Sequence, residues 1–192
     1  MTSLLKPVAG LITSLAVLVG CASPKLSAYE GTTPPADIEA YFTGPISAWG
    51  VVQDWKGHVV ARFDVKMVGT WEGDTGTLDE TFTYYDGVQQ KRVWTITKHP
   101  DGTYTGTAGD IVGEATGAQT GTAINWAYQM DLEVDGKTWR LTFDDWMWQM
   151  NDGVMINRSY MKKFGLTVAE LTLFMKKDTP AASPEGEPDE DA

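Results

Sequence analysis

An all-β fold is predicted, an antiparallel up-and-down meander closing as a β-barrel of about 8–10 strands. Three observations predict it. Turn signals recur at near-regular intervals: Trp55-Lys56-Gly57, Glu72-Gly73-Asp74-Thr75-Gly76, Asp86-Gly87, Pro100-Asp101-Gly102, Asp135-Gly136 and Asp152-Gly153. Between them lie short runs rich in Val, Thr, Ile, Trp and Tyr, and several alternate apolar and polar residues with period two, the mark of a half-buried strand. No convincing helical pattern interrupts residues 44–177. Asp-Gly is a strong hairpin signal, and closing the meander removes exposed strand edges.

The chain begins with a basic segment ending at Lys6, an apolar run Leu11–Val19 and the tetrapeptide Leu18-Val19-Gly20-Cys21. This reads as a secretory signal peptide over residues 1–20, removed from the folded protein. The apolar run is about half of the roughly 20 residues that a spanning helix needs. The tetrapeptide resembles the lipobox of bacterial lipoproteins. That resemblance implies lipidation of the Cys21 thiol, cleavage before it and acylation of the new N-terminus, with palmitate the expected chain. Cys21 is the only cysteine, so once it is acylated no disulfide and no thiolate metal site remains. Ala22, where aspartate would resemble an inner-membrane retention signal, implies the periplasmic leaflet of the outer membrane, reached through the lipid anchor on Cys21.

Residues 21–41 read as the lipidated cysteine and a tether rich in Ser, Thr, Pro and Ala. Within it, Asp37 to Phe42 suits one helical turn that closes an end of the domain. Residues 42–177 form the barrel domain. Residues 178–192 read as an acidic disordered tail, carrying Asp178, Glu185, Glu187, Asp189, Glu190 and Asp191 and no basic residue. Much of the net charge of −11 comes from this tail. Such a chain lacks the basic footprint of a nucleic-acid binder. His58 and His99 are far apart in sequence, so no metal site and no cofactor is expected.

The first strands carry the alternation clearly. Val59, Ala61, Phe63, Val65, Met67 and Trp71 share one face, with Arg62, Asp64 and Lys66 on the other. Around Asp86-Gly87, a three-residue loop with left-handed Gly87 pairs Leu78 with Trp94, Glu80 with Arg92 and Phe82 with Gln90. Glu80 and Arg92 then share the apolar face of Leu78, Phe82, Trp94 and Ile96. This ion pair has two readings: a structural pair that fixes register, or a handle with Arg92 gripping a carboxylate or phosphate. The bulk-poor stretch Gly106–Gly121 permits a sharp barrel corner, or leaves room in a lumen.

The later strands bring a second polar group. Ile124, Trp126, Tyr128, Met130, Leu132 and Val134 share a face. A two-residue turn at Asp135-Gly136 sets Tyr128 against Phe143 and Trp126 against Asp145. The next hairpin sets Met147 against Asn157 and Trp146 against Arg158. In this register Asp145, Asn157 and Ser159 point inward. A bulge at Asp144-Asp145 would turn Asp144, Trp146 and Arg158 inward instead. Either way a carboxylate meets aromatic rings and hydrogen-bond donors. Satisfied polar groups in a tight barrel would look the same.

Trp71-Glu72-Gly73, Thr77-Leu78-Asp79-Glu80-Phe82, Arg92-Val93-Trp94, Tyr104-Thr105-Gly106-Thr107-Ala108-Gly109-Asp110, Asp144-Asp145-Trp146-Met147 and Met155-Asn157-Arg158-Met161-Phe164-Gly165 together resemble a family of bacterial lipoproteins, the domain of unknown function 3833. The resemblance spans about Phe42 to Lys177. It implies a lipocalin-like barrel and a link to fatty-acyl lipid, and it carries no assigned activity or site.

The expected function is an outer-membrane lipoprotein barrel that binds an apolar or amphipathic small molecule such as a fatty-acyl lipid. Glu80, Arg92, Trp94, Trp126, Asp145 and Asn157 are its candidate ligand-binding residues. The membrane, through Cys21, and a small apolar ligand are its expected partners. The alternative is a filled barrel acting as a structural or interaction protein of the envelope. Catalysis is not expected. A lipid-acting enzyme would use Glu80 or Asp145 as a general base, and pairing with Arg92 would lower the pKa of Glu80.

Overall fold

The structure, a computed structural model, describes residues 24–134 and 136–178. The signal segment, Cys21, Asp135 and the tail from Thr179 onward lie outside the described residues. Ten strands follow one another: β1 (Gly44–Asp54), β2 (Val59–Glu72), β3 (Thr75–Tyr84), β4 (Gln89–Lys98), β5 (Tyr104–Thr107), β6 (Ile111–Thr120), β7 (Ala123–Val134), β8 (Lys137–Gln149), β9 (Val154–Lys163) and β10 (Leu166–Lys177). Each pairs with the next, and β1 pairs with β10 from Ile46↔Lys177 to Asp54↔Ala169, closing the barrel. The fold is the expected meander, at ten strands.

Turn chemistry sets the registers. Gly87 takes φ 91°, as the Asp86-Gly87 loop requires, and β3 pairs with β4 as Leu78↔Trp94, Glu80↔Arg92 and Phe82↔Gln90. No register shift occurs at Asp144-Asp145, so Trp126 faces Asp145 and Met147 faces Asn157. The first of the two expected registers is therefore the one adopted. Trp146 points outward yet is only 3% exposed. Tyr29 covers it, with ring centroids 6.0 Å apart. Period two alone would have left Trp146 in solvent.

Of the two purposes expected of the bulk-poor stretch, the structure shows the corner, while the space left by its small residues is filled by a ring. The β6–β7 register shifts between Val112 and Thr116, where Gly113 takes φ 74°. That bulge turns the corner. Gly117 makes the room: a Cβ there would stand 2.7 Å from the Trp126 indole.

The segment read as a tether is not free from Leu26 onward. Leu26–Tyr29 forms a 3-10 turn against the outer wall of β6 and β7. The amide of Ala36 donates to the Gly121 carbonyl at 2.7 Å, and that of Ile38 to Gln119 Oε1 at 2.8 Å. Helix α1 (Ile38–Tyr41) follows, with Asp37 capping its first turn by accepting from the Ala40 amide at 3.0 Å. Lys177 Nζ satisfies the carbonyls of Ala40, Tyr41 and Thr43 at 2.8, 3.1 and 2.7 Å. Ile38, Tyr41 and Phe42 are buried in the main core. Each apolar side chain so buried contributes about 1.5–3 kcal/mol. Composition pointed to a linker, but these few apolar side chains and fixed amides suffice to dock it.

The barrel thus has two unlike ends. α1 plugs the end that carries the β2–β3, β4–β5, β6–β7 and β8–β9 turns. The opposite end carries the other five turns, and among the described residues no further segment covers it.

The plug depends on close approach at Gly69, where a Cβ would stand 1.6 Å from the Phe42 carbonyl oxygen. Gly69→Ala should cost about 1–3 kcal/mol through forced repacking. Gly109→Ala, which meets nothing within 4 Å, should be nearly neutral. Urea unfolding of the two variants checks the contrast, and equal midpoints would show that the plug is not seated this way.

Candidate functional site

The inner faces of β2, β3, β4, β7, β8, β9 and β10 enclose a hollow of about 100 Å³. Its walls are mainly apolar, from Phe63, Met67, Leu78, Phe82, Leu173 and Met175. Glu80, Arg92, Trp94, Trp126, Asp145 and Asn157, the six residues nominated from sequence, all line it. Three more side chains belong with them: Tyr128, Asp110 and Ser159.

The first polar group centres on Arg92. Its Nε donates to Glu80 Oε2 at 2.8 Å, and its Nη1 lies 3.6 Å from Asp110 Oδ2. The Glu80 and Arg92 side chains are 10% and 17% exposed, so this is a largely desolvated pair. The guanidinium also stands 4.9 Å from the Phe82 ring centroid and 5.8 Å from that of Trp94. One cation is shared by two carboxylates. Burial works against the charge on Arg92, but Glu80 and Asp110 outweigh it and hold its pKa above the usual value. Burial also pushes the Glu80 carboxyl up, against the pull of a guanidinium that Asp110 already shares. The expectation that pairing would lower Glu80 is therefore corrected: desolvation wins. One oxygen of Asp110, Oδ1, is buried without a hydrogen-bond partner.

The second polar group centres on Asp145, which is 6% exposed. Its Oδ1 accepts from Ser159 Oγ at 2.6 Å and from Asn157 Nδ2, and its Oδ2 accepts from Tyr128 Oη at 3.3 Å. Burial raises the Asp145 carboxyl, and the Ser159, Asn157 and Tyr128 donors offset this only in part. Tyr128 bridges the two groups, packing edge-on against Trp94 at 5.7 Å and stacking on Phe143 at 4.9 Å. The neighbouring Asp144 faces the other way. Despite its partial burial, Lys162, Asn125 and Trp146 hold it below the ordinary carboxylate range.

Asp110 was the residue that sequence reasoning missed. It reaches Arg92 only because β5 and β6 carry the β5–β6 turn back past β4. The bulge between Val112 and Thr116 hid that register. His58 and His99 sit in turns at opposite ends of the barrel, bonded to Asp54 and Thr105.

The fold and site define a closed ten-stranded barrel with a small apolar hollow and an interior polar network. The chain belongs to the family described as Protein of unknown function (DUF3833), whose model matches residues 15–177. A comparison with curated proteins finds no match.

Two predictions follow from this geometry. Arg92→Met strands both Glu80 and Asp110 and should cost about 3–5 kcal/mol. Glu80→Leu leaves Arg92 with Asp110 and should cost less, and the double variant should recover part of the Arg92→Met loss. A double-mutant cycle by urea unfolding measures this. Additive losses would show that the pair is not coupled.

The second concerns pH. Asp145 has a raised folded-state pKa, so between the unfolded value near 4 and the raised value the native state holds a proton that the unfolded state has lost. Its contribution to stability is greatest below that window and falls as pH rises through it. Asp145→Asn lacks this titration. The variant should therefore gain stability relative to the unsubstituted protein as pH is raised from about 4 to neutrality. Parallel pH profiles of the two unfolding midpoints would rule this out.

Proposed function

We propose that the barrel binds the apolar chain of an amphipathic small molecule, of the fatty-acyl lipid class, and does no chemistry on it. One observation carries this reading: an apolar hollow at the barrel centre lined by two hydrogen-bonded polar groups, Glu80 with Arg92 and Asp145 with Asn157 and Tyr128. The head-group chemistry follows from charge. Arg92 is already offset by Glu80 and Asp110, so an anionic head would enter a site with no spare cation. A neutral head bearing hydroxyl or amide donors suits it better, because the lining carboxylates Glu80 and Asp145 can accept from it. At about 100 Å³ the hollow is smaller than the roughly 300 Å³ of ordinary ligand sites. Entry of a chain therefore requires the lining to yield, and the unbranched Met67, Met147 and Met175 are suited to that.

The same small volume favours a second reading, a filled barrel that serves as a structural or interaction protein of the cell envelope. Under either reading the protein is held by a lipid anchor on Cys21 in the periplasmic leaflet of the outer membrane. The signal-like segment ending at Cys21 supports this.

Adding a monoacylglycerol to the full chain in detergent should shift its tryptophan fluorescence, since Trp94 and Trp126 line the hollow. A free fatty acid above its pKa should shift it less. The response should vanish in the Trp94→Phe, Trp126→Phe double variant. An unchanged spectrum with every amphiphile, together with no lipid recovered by extraction of the purified protein, leaves the filled barrel standing. For the anchor, Cys21→Ala should abolish acyl labelling and release the protein from the outer-membrane fraction. Labelling that survives the substitution would exclude Cys21 as the anchor.

A further inference from the structure

The uncovered end of the barrel is ringed by large apolar side chains. Trp55 in the β1–β2 turn is 73% exposed, Tyr85 in the β3–β4 turn 60%, and Phe164 in the β9–β10 turn 95%. These three turns are neighbours around the barrel, because β10 pairs with β1 and β2 with β3. Leu166, Val88 and Trp139 extend the arc, at 73%, 56% and 41% exposed. The four turns at the plugged end contain no Trp, Tyr or Phe and carry Asp74, Asp101, Thr122 and Asp152 instead.

The fold does not ask for these residues. Phe164 and Gly165 form a two-residue turn with both residues at positive φ, 51° and 80°. Asn or Asp fits the first position of such a turn, whereas a bulky side chain there is strained. The chain accepts that strain to hold a phenyl ring in the open.

The charges at these tips are also sorted. Asp54 turns back to accept from the Lys56 and His58 amides, each at 2.9 Å, and Asp86 accepts from the Val88 amide at 3.0 Å. The amines point outward beside the rings. Lys56 Nζ lies 4.9 Å from the Trp55 centroid, and Lys163 Nζ lies 4.4 Å from Trp139 and 5.6 Å from Phe164. Arg62 covers Tyr85 at 4.8 Å. Aromatic rings flanked by lysines are the composition of side chains that sit at a bilayer interface, rings at head-group depth and amines on anionic phosphates. To an anionic surface this rim offers rings and amines together, whereas the turns at the plugged end offer Asp74, Asp101 and Asp152.

We propose that the open rim, through Trp55, Tyr85, Phe164 and Leu166 with Lys56 and Lys163, docks the barrel end-on into the head-group layer of an anionic membrane. The rim requires neither an anchor nor an occupied hollow.

The test uses the full chain with Cys21→Ser, carrying a single environment-sensitive dye on Phe164→Cys or, at the plugged end, on Asp101→Cys. It is placed in vesicles of phosphatidylcholine and phosphatidylglycerol, and brominated lipids are supplied in those vesicles or in added ones. The dye at 164 should be quenched several-fold more than the dye at 101. The difference should shrink with phosphatidylcholine alone, and in Lys56→Glu, Lys163→Glu and Trp55→Ser variants whose near-ultraviolet circular dichroism is unchanged. Arg92→Met with Glu80→Leu, which alters the hollow and frees Asp110 but touches none of the six rim residues, should leave it intact. That separates failure of this inference from failure of the binding proposal. Equal quenching at both ends, greater quenching at 101, or insensitivity to charge reversal overturns it. So does shielding of the 164 dye only when envelope proteins are added, which would make the rim a protein interface.

Discussion

Ten strands closed on themselves set a girth, and most other features answer it. A barrel widens with strand number, and near eight strands ordinary side chains already suffice to fill it. Here the wider interior is met by large groups: Phe63, Phe82, Trp94, Trp126, Tyr128 and Phe143 project into it. Small residues are placed where those rings need space, as at Gly117 beneath Trp126. What the rings leave over is the hollow. The N-terminal segment stops one end, because without it Ile46, Met67 and Met175 would line an open pipe.

Polar groups inside such a wall are tolerated only when connected. Glu80, Arg92 and Asp110 share charge, and Asp145 is surrounded by neutral donors. The two groups differ in kind. The first retains a buried cation between two acids, and in the second burial raises the pKa of an acid against the pull of three neutral donors. Tyr128, placed between them, can hydrogen-bond to one while packing beside the other. The interior thus presents graded polarity across a short distance rather than a lone charge.

Much of this was legible in the chain because hairpin registers are local. Once Asp86-Gly87 and Asp135-Gly136 are read as tight turns, the partners Glu80↔Arg92 and Trp126↔Asp145 follow by counting. What counting cannot supply is anything that depends on the third dimension. Asp110 reaches Arg92 through two further strands and a bulge. Trp146 is covered by Tyr29, more than a hundred positions away in sequence. The docking of Leu26–Phe42 rests on a few buried apolar side chains and on hydrogen bonds to Gly121, Gln119 and Lys177, which carry no pattern along the chain. The Phe164-Gly165 turn was hidden for another reason: its first residue is not one that the turn type prefers.

The β1–β10 seam has a temporal meaning. Nine of the ten strand pairings join neighbours in sequence and can zip as soon as each hairpin exists. The tenth joins Ile46 to Lys177, and beyond it Ser47 donates to Asp178 while accepting from Lys66. Loop closure over that span is slow compared with hairpin formation. Until the last strand is made, β1 presents a bare edge, open to the wrong partner. Closure of this barrel therefore has to wait for β10, and anything that shields the edge of β1 in the interval would act as its chaperone.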